Sequence, residues 1–378
     1  MKWEKVKLSD VTESCLGKML DQNKNIGTYK PYLANINVRW GEFDLENLPL
    51  MRFEDREEDR YGLKSGDIVL CEGGEPGRCA IWKDLIPNMK FQKALHRIRV
   101  NREMDCYYLY YWFLMAGRAK ILDQYFTGST IKHLPSIKLK EIVIDKPPLE
   151  IQKHIGSILS TYDDLIENNQ KQIKLLEEAA QRLYKEWFVD LRFPGHENVK
   201  IVDGVPEGWR KSCLPEIAPI VTGKKDANFG TKDGNYLFFT CSQEPIKAPS
   251  YSFDCDAVIL AGNGDFNVKI YRGKFEAYQR TYVFSPYESK YLHLLYFAVK
   301  SSMRQLFKGA SGSTIRFLKK HMLEEILVWI PDEDTLKQFL SCCEAFYKKI
   351  ELLNTQIISL QEARDRLLPK LMSGEIEV

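Results

Sequence analysis

Gly128-Ser129-Thr130-Ile131-Lys132 sets two hydroxyls, backbone amides and a cation side by side, and the pattern returns as Gly312-Ser313-Thr314-Ile315-Arg316. Hydroxyls and amides next to a Lys or Arg are groups that hold phosphate oxygens, so both segments read as anion contacts. Two Gly-rich turns, Gly73-Gly74-Glu75-Pro76-Gly77-Arg78 and Gly262-Asn263-Gly264-Asp265, would let a backbone approach a ligand closely. Arg and Asn or Gln are also the side chains that read guanine and adenine edges. Candidates of these kinds are Lys18, Arg39, Arg78, Arg97, Lys224, Lys225, Gln243, Asn263, Asn267, Lys269 and Arg280. Ser129, Thr130, Lys132, Ser313, Thr314 and Arg316 of the repeated segments join them. Taken singly, each of these residues also fits surface or structural duty.

Other chemistry is missing from the sequence. There is no Asp/Asn-Pro-Pro-Tyr tetrad, and Asp145-Lys146-Pro147-Pro148 is a partial echo that sits just before a helix. No GxGxxG or GxxxxGK[ST] phosphate loop occurs, nor a GxSxG nucleophile turn. Pro331-Asp332 resembles the start of a nuclease motif but lacks the acid-x-Lys that should follow, and helix capping explains it better. The 9 Cys form no CxxC pair and the 6 His no HExxH. That argues against a zinc site or a disulfide framework and for a reducing cytoplasm. The charged N-terminus lacks the apolar run of a signal peptide. No stretch approaches the ~20 apolar residues of a membrane span. The expectation is a cytoplasmic chain that is not itself an enzyme, binds no metal or cofactor and has no membrane partner.

The groups above must be positioned by the elements around them, and a repeat organises those. The offset of 184 residues between the two Gly-Ser-Thr segments holds without a gap to the end of the chain. Leu134 matches Leu318, Pro147 matches Pro331, Ile166-Glu167 matches Ile350-Glu351, and Arg182-Leu183 matches Arg366-Leu367. Upstream the repeat is looser: Trp3, Gly17 and Lys18 match Trp209, Gly223 and Lys224 at 206, and Asp67 and Gly73 match Asp256 and Gly262 at 189. Each half is thus a divergent domain followed by a segment of fixed length.

That segment is helical. Leu159, Tyr162, Ile166, Asn169, Ile173, Leu176, Ala180, Leu183 and Trp187 fall at alternating spacings of four and three, the heptad of a coiled coil. The second copy gives Phe339, Cys343, Phe346, Ile350, Leu353, Ile357, Leu360, Arg364, Leu367 and Leu371. Each helix should have about 39 residues and a length of roughly 58 Å. Neither stripe can stay exposed, so the helices should pack on each other. The polar linker at 191–208 favours an antiparallel pair with the domains at opposite ends, although an extended linker could span a parallel one. Asn169 reads either as a register device or as a tolerated polar residue in a partly wet seam.

The fold class expected is α/β (α+β): two mixed domains separated by an antiparallel two-helix coiled coil, with a pseudo-two-fold internal repeat. The divisions expected are a first domain at 1–146, a central helix at 147–190, a linker at 191–208, a second domain at 209–330 and a C-terminal helix at 331–378. Formal net charge is +3 over 1–146, −4 over 147–208, +5 over 209–310 and −2 over 311–378. Basic domains and acidic helices suit a polyanion held at two separated places.

With these features together, the chain resembles the specificity subunits of Type I restriction–modification systems over essentially its whole length. The best marker is Arg366-Leu367-Leu368-Pro369-Lys370-Leu371-Met372-Ser373-Gly374-Glu375-Ile376. Others are Tyr32-Leu33-Ala34-Asn35-Ile36-Asn37-Val38-Arg39-Trp40-Gly41, Gly66-Asp67-Ile68-Val69-Leu70 and Pro148-Leu149-Glu150-Ile151-Gln152. The second copy departs at the last of these, where Asp332 to Leu336 replaces it. The resemblance implies two recognition domains, each reading half of an interrupted double-stranded DNA site. It implies paired helices that set the spacing and dock two methyltransferase (M) subunits. S-adenosylmethionine and ATP would be bound by partner subunits, and a motor–nuclease (R) subunit can join. Two rivals stand beside it: a tandem coiled-coil scaffold that binds protein and not DNA, and the recognition part of an enzyme that acts alone.

Overall fold

A computed structural model of the chain describes residues 3–19, 21, 25–312 and 316–378. It divides into two compact units, residues 1–170 with 354–378, and residues 171–353. The cut passes through both long helices, so each unit holds one domain and half of each helix.

In the first unit, strand Glu4–Lys7 pairs antiparallel with Val143–Lys146, the strand that leads into the first long helix. A four-stranded sheet runs in the order Thr12–Leu16, Leu95–Val100, Ile68–Cys71, Cys79–Ile81. A three-stranded sheet is ordered Leu50–Phe53, Thr28–Leu33, Lys90–Phe91. Helix Cys106–Arg118 starts where Asp105 accepts a hydrogen bond from the Tyr108 amide (2.9 Å). Its residues Tyr108 to Leu114 are all buried, which explains why the segment is apolar all round.

The second unit repeats the plan. Strand Arg210–Cys213 pairs antiparallel with Leu327–Ile330, again just before a long helix. The sheet between them has six strands and includes Phe253–Ala261 paired with Val268–Ala277. Helix Leu292–Gly309 takes the place of Cys106–Arg118. Parallel pairing recurs as well, between Thr28–Leu33 and Lys90–Phe91 and between Tyr236–Phe239 and Val268–Ala277. Both domains are therefore mixed helix and sheet, as the sequence predicts.

The first long helix, Leu149–Tyr184, has 36 residues and ends in a π turn at Lys185–Val189. That wider turn carries two consecutive buried aromatics, Trp187 and Phe188. The second, Glu333–Ser373, has 41 residues. Within the first unit Asp163 pairs with Arg364, and Asn169 Nδ2 donates to Gln356 Oε1 (3.4 Å). Partner numbers fall as the first helix advances, so the pair runs antiparallel. Asn169 is buried with its amide partnered across the seam. Leu159 and Ile166 are buried; Ile173, Leu176, Leu183, Phe346, Ile350, Ile357, Leu360 and Leu367 are half-buried.

The helix starts differ for a local reason. Gln152 is buried, accepting from the Asp105 amide (2.9 Å) and donating to the carbonyls of Pro147 (2.8 Å) and Glu103 (3.2 Å). Its counterpart Leu336 is simply buried, and the tie passes to Asp332. There Oδ1 accepts from the amides of Asp334 (3.1 Å) and Thr335 (3.0 Å), and Oδ2 from Trp209 Nε1 (3.2 Å). This confirms Pro331-Asp332 as a cap. Burial raises the Asp332 pKa, but these donors outweigh it and hold the carboxyl below its usual range. At the other end Gly374 adopts φ +72° and closes the second helix. A Cβ there would lie 2.8 Å from the Trp3 ring.

Candidate nucleic-acid interface

The residues that flank the two Gly-Ser-Thr segments form the same device in both domains. In the first, Thr127 and His133 exchange backbone hydrogen bonds (both 2.8 Å), closing a loop that holds Gly128, Ser129, Thr130 and Lys132 at its exposed tip. In the second, Ser311 and Phe317 do the same (3.1 and 2.8 Å). Each loop docks on the glycine turn of its domain: the Leu134 amide donates to the Glu72 carbonyl (2.7 Å), and the Leu318 amide to Gly262 (2.8 Å). Gly128 and Gly312 have φ of +93° and +106°, where an L side chain is strained. Ser313 and Thr314 lie outside the described residues.

The basic residues at the loop ends have different neighbours. Lys132 Nζ lies 3.6 Å from the Asp123 carboxylate. Arg316 lies over the Phe307 ring, 4.5 Å from its centroid. Among the described residues no carboxylate pairs with Arg316. A guanidinium on a ring keeps its N–H groups for another partner, whereas Lys132 is partly neutralised where it stands.

Beside each turn a second loop is locked to it. In the first domain Arg78 donates to the Asn35 carbonyl (2.9 Å) and pairs with Glu75 (2.9 Å), which also accepts from Trp40 Nε1 (2.6 Å). In the second, Asn267 Nδ2 donates to the carbonyls of Cys241 (3.2 Å) and Asp265 (2.8 Å). Lys269 donates to the Ser242 carbonyl (2.9 Å) and to Asn267. Gln243 and Asp265 close the loops with a hydrogen bond of 2.6 Å. The cleft so formed is lined by Thr240, Ser242, Gln243, Asn263, Asp265 and Tyr278.

Several expected contact residues are placed elsewhere. Lys18 is buried and donates to the Arg52 carbonyl (2.9 Å) and to Glu57 (2.6 Å). Arg97 is 1% exposed and donates to the carbonyls of Asp59 (3.0 Å) and Arg60 (3.1 Å) and to Glu13 (3.0 Å). Neither can reach a phosphate or a base, because a buried cation must spend its donors internally. Arg78 and Lys269 are spent in the same sense, on loop locking; burial holds Lys269 below its ordinary pKa. Arg39, Lys224 and Arg280 are exposed, and Asn263 and Lys225 half-exposed. Arg39 lies 3.8 Å from Asp44, and Lys225 sits over the Phe229 ring at 4.5 Å. Sequence reasoning missed Asp123 and Phe307, and named Asp265 only as part of a glycine turn. The 184-residue register does pair Asp123 with Phe307, which is the signal that could have found them. No helix among the described residues is long and apolar enough to cross a membrane.

Comparison with known proteins fits this geometry. A sequence model described as the Type I restriction modification DNA specificity domain matches residues 1–178 and 206–362. The Type I restriction enzyme MjaIX specificity subunit of Methanocaldococcus jannaschii is 27% identical over 347 residues, covering 83% of this chain and 78% of that one. The EcoDI specificity subunit of Escherichia coli is 34% identical over 176 residues, 46% of this chain and 39% of the relative. The crystal structure of the Type I restriction–modification S subunit from M. genitalium shares the fold, with a TM-score of 0.59 at 17% identity over 98% of this chain and 96% of that one. Specificity subunits are the non-catalytic parts of such enzymes. The chain belongs to the Type I restriction–modification DNA specificity family and carries its domain twice.

Proposed function

We propose that each domain reads one half of a bipartite double-stranded DNA site through the segment docked on its glycine turn and the locked loop pair beside it. The paired helices set the distance between the halves and dock two methyltransferase subunits. S-adenosylmethionine and ATP belong to partner subunits, among them a motor–nuclease subunit where one is present. The observation that carries this reading is the shared device: one loop-on-turn scaffold, built in both domains, surrounded by different side chains. Two different half-sites need that combination, since phosphate contacts position a reader and side chains on base edges specify. The basic domains support it, and family membership favours DNA over the protein-scaffold reading.

The test is methylation mapping of the assembled complex. Exchanging residues 1–146 for another such domain should change one half of the recognised sequence and leave the other as it was; a change in both halves refutes modular reading. Inserting four residues after Gln172 adds about 6 Å of helix. The spacer should lengthen with both halves intact, and an unchanged spacer in an active complex refutes the ruler.

A further inference from the structure

Among the exposed side chains of the second domain's cleft, Gln243 is one whose hydrogen-bonding face is already set. Its Nε2 lies 2.6 Å from Asp265 Oδ2. A carboxylate only accepts hydrogen bonds, so the amide nitrogen must face Asp265 and the orientation of Oε1 follows. One N–H is spent there. Oε1 and the second N–H remain for another partner.

Asp265 is itself held in place. Asn267 Nδ2 binds its carbonyl (2.8 Å), and the neighbouring Gly264 amide donates to the Arg316 carbonyl (3.2 Å). The Gln243 loop is pinned through the Cys241 and Ser242 carbonyls by Asn267 and Lys269. Both loops are thus ordered before any ligand arrives, which lowers the entropy cost of binding. Gln243 and Asp265 nevertheless stay exposed, and Asp265 follows the glycine bonded to the loop that carries Arg316, which no carboxylate among the described residues pairs. A candidate phosphate contact, Arg316, and a polar side chain of fixed orientation therefore belong to loops joined through Gly264.

We infer that Gln243, aimed by Asp265, reads an adenine in the half-site of the second domain. Adenine presents N7 as acceptor and N6 as donor in the major groove, which matches one N–H beside one carbonyl oxygen. Guanine presents two acceptors there and would set O6 against Oε1. The inference rests on the reading of this domain as a DNA reader.

The full chain, assembled with its methyltransferase subunits in a host without other adenine methylation, is tested by genome-wide mapping of methylated sites. Gln243→Ala should relax one adenine position in the second domain's half-site, with discrimination falling roughly 10- to 100-fold. Asp265→Asn has a more particular outcome. An amide at 265 donates as well as accepts, so Gln243 can turn over and guanine should be admitted at that same position. The other half-site should be unchanged in both variants, which also shows that the complex has assembled. A Gln243→Ala motif identical to the parent's, relaxation at a base other than adenine, or loss of methylation at every site overturns the inference while leaving DNA reading by this domain in place. DNA reading itself fails only if exchanging residues 209–330 leaves both halves of the motif as they were.

Discussion

The two units solve the same packing problem with an apolar cluster each, to which the first adds a charged network and the second stacked rings. In the first, the domain meets the long helices through an apolar cluster that includes Ile155, Leu159, Leu368 and Leu371, and beside it through a charged network. Tyr111 donates to Asp163 (2.6 Å), Asp163 pairs with Arg364, and Asp365 pairs with both Arg364 (2.8 Å) and Arg118 (2.8 Å). Lys83 adds contacts to Asp164 (2.9 Å) and Glu167 (3.1 Å). Moved by the 184-residue register, Asp163 and Arg364 become Tyr347 and Ala180. The second unit accordingly meets the helices through rings. Tyr184 stacks on Phe188 (5.1 Å) and Phe297 (5.4 Å), and Phe188 packs edge-on to Phe339 (4.8 Å). One backbone plan therefore accepts either junction. The ring junction is held mainly by buried area, with the exposed Lys290–Glu333 pair (2.7 Å) at its edge. The charged one depends on every partner being present, because an unpaired buried ion is costly.

The largest effect should come from the ring junction. Phe339 is fully buried, and Phe339→Ala should cost about 3–5 kcal/mol with little change in that loss between low and high salt. Denaturant unfolding with probes in the second unit measures it; a strong salt dependence would mean that the rings do not dominate this junction.

In the charged junction Asp163→Ala removes one of the two carboxylates paired with Arg364 and strands the Tyr111 hydroxyl, and should cost about 2–3 kcal/mol. The pair Asp163→Ala with Arg364→Ala should cost less than the sum of the singles, a coupling that a double-mutant cycle reads directly. Additive losses would mean that no network exists. Acid should act on the same place. Burial raises the Asp365 pKa, but Arg118 and Arg364 outweigh it and hold the carboxyl below its usual value. Its contribution is then complete above an ordinary carboxyl pKa of about 3.9 and is lost as pH falls through the lowered folded value. Hydrogen exchange below about pH 3.9 should show the first unit's junction loosening as this contribution is lost.

The smallest effect concerns the hairpins. Arg316→Ala should reduce the slope of log K against log salt by about 1, and Lys132→Ala by clearly less, since Asp123 already offsets its charge. Binding titrations of the complex across salt concentrations measure both; equal slope changes would remove this difference between the hairpins.

Much of the molecule was legible without coordinates, and the legible part is local. Heptad spacing, a gap-free 184-residue offset, an acidic cap at Asp332 and a glycine at 374 are all written in neighbouring residues, because helices bond along their own length. The paired Gly-Ser-Thr loops were legible for the same reason. What tertiary structure alone decided is which polar groups are free to act. Arg97 has the side chain of a base reader, yet carbonyls of residues 59 and 60 and a carboxylate from residue 13 converge on it. Lys18 is taken by Arg52 and Glu57, and Arg78 and Lys269 by the loops they lock. Gln243 carries the opposite lesson, since Asp265, 22 residues away, fixes which of its atoms faces outward. Residue type sets what a group can bond to, but the partners come from strands distant in sequence, and only their meeting in the fold determines whether any bonding capacity is left for DNA.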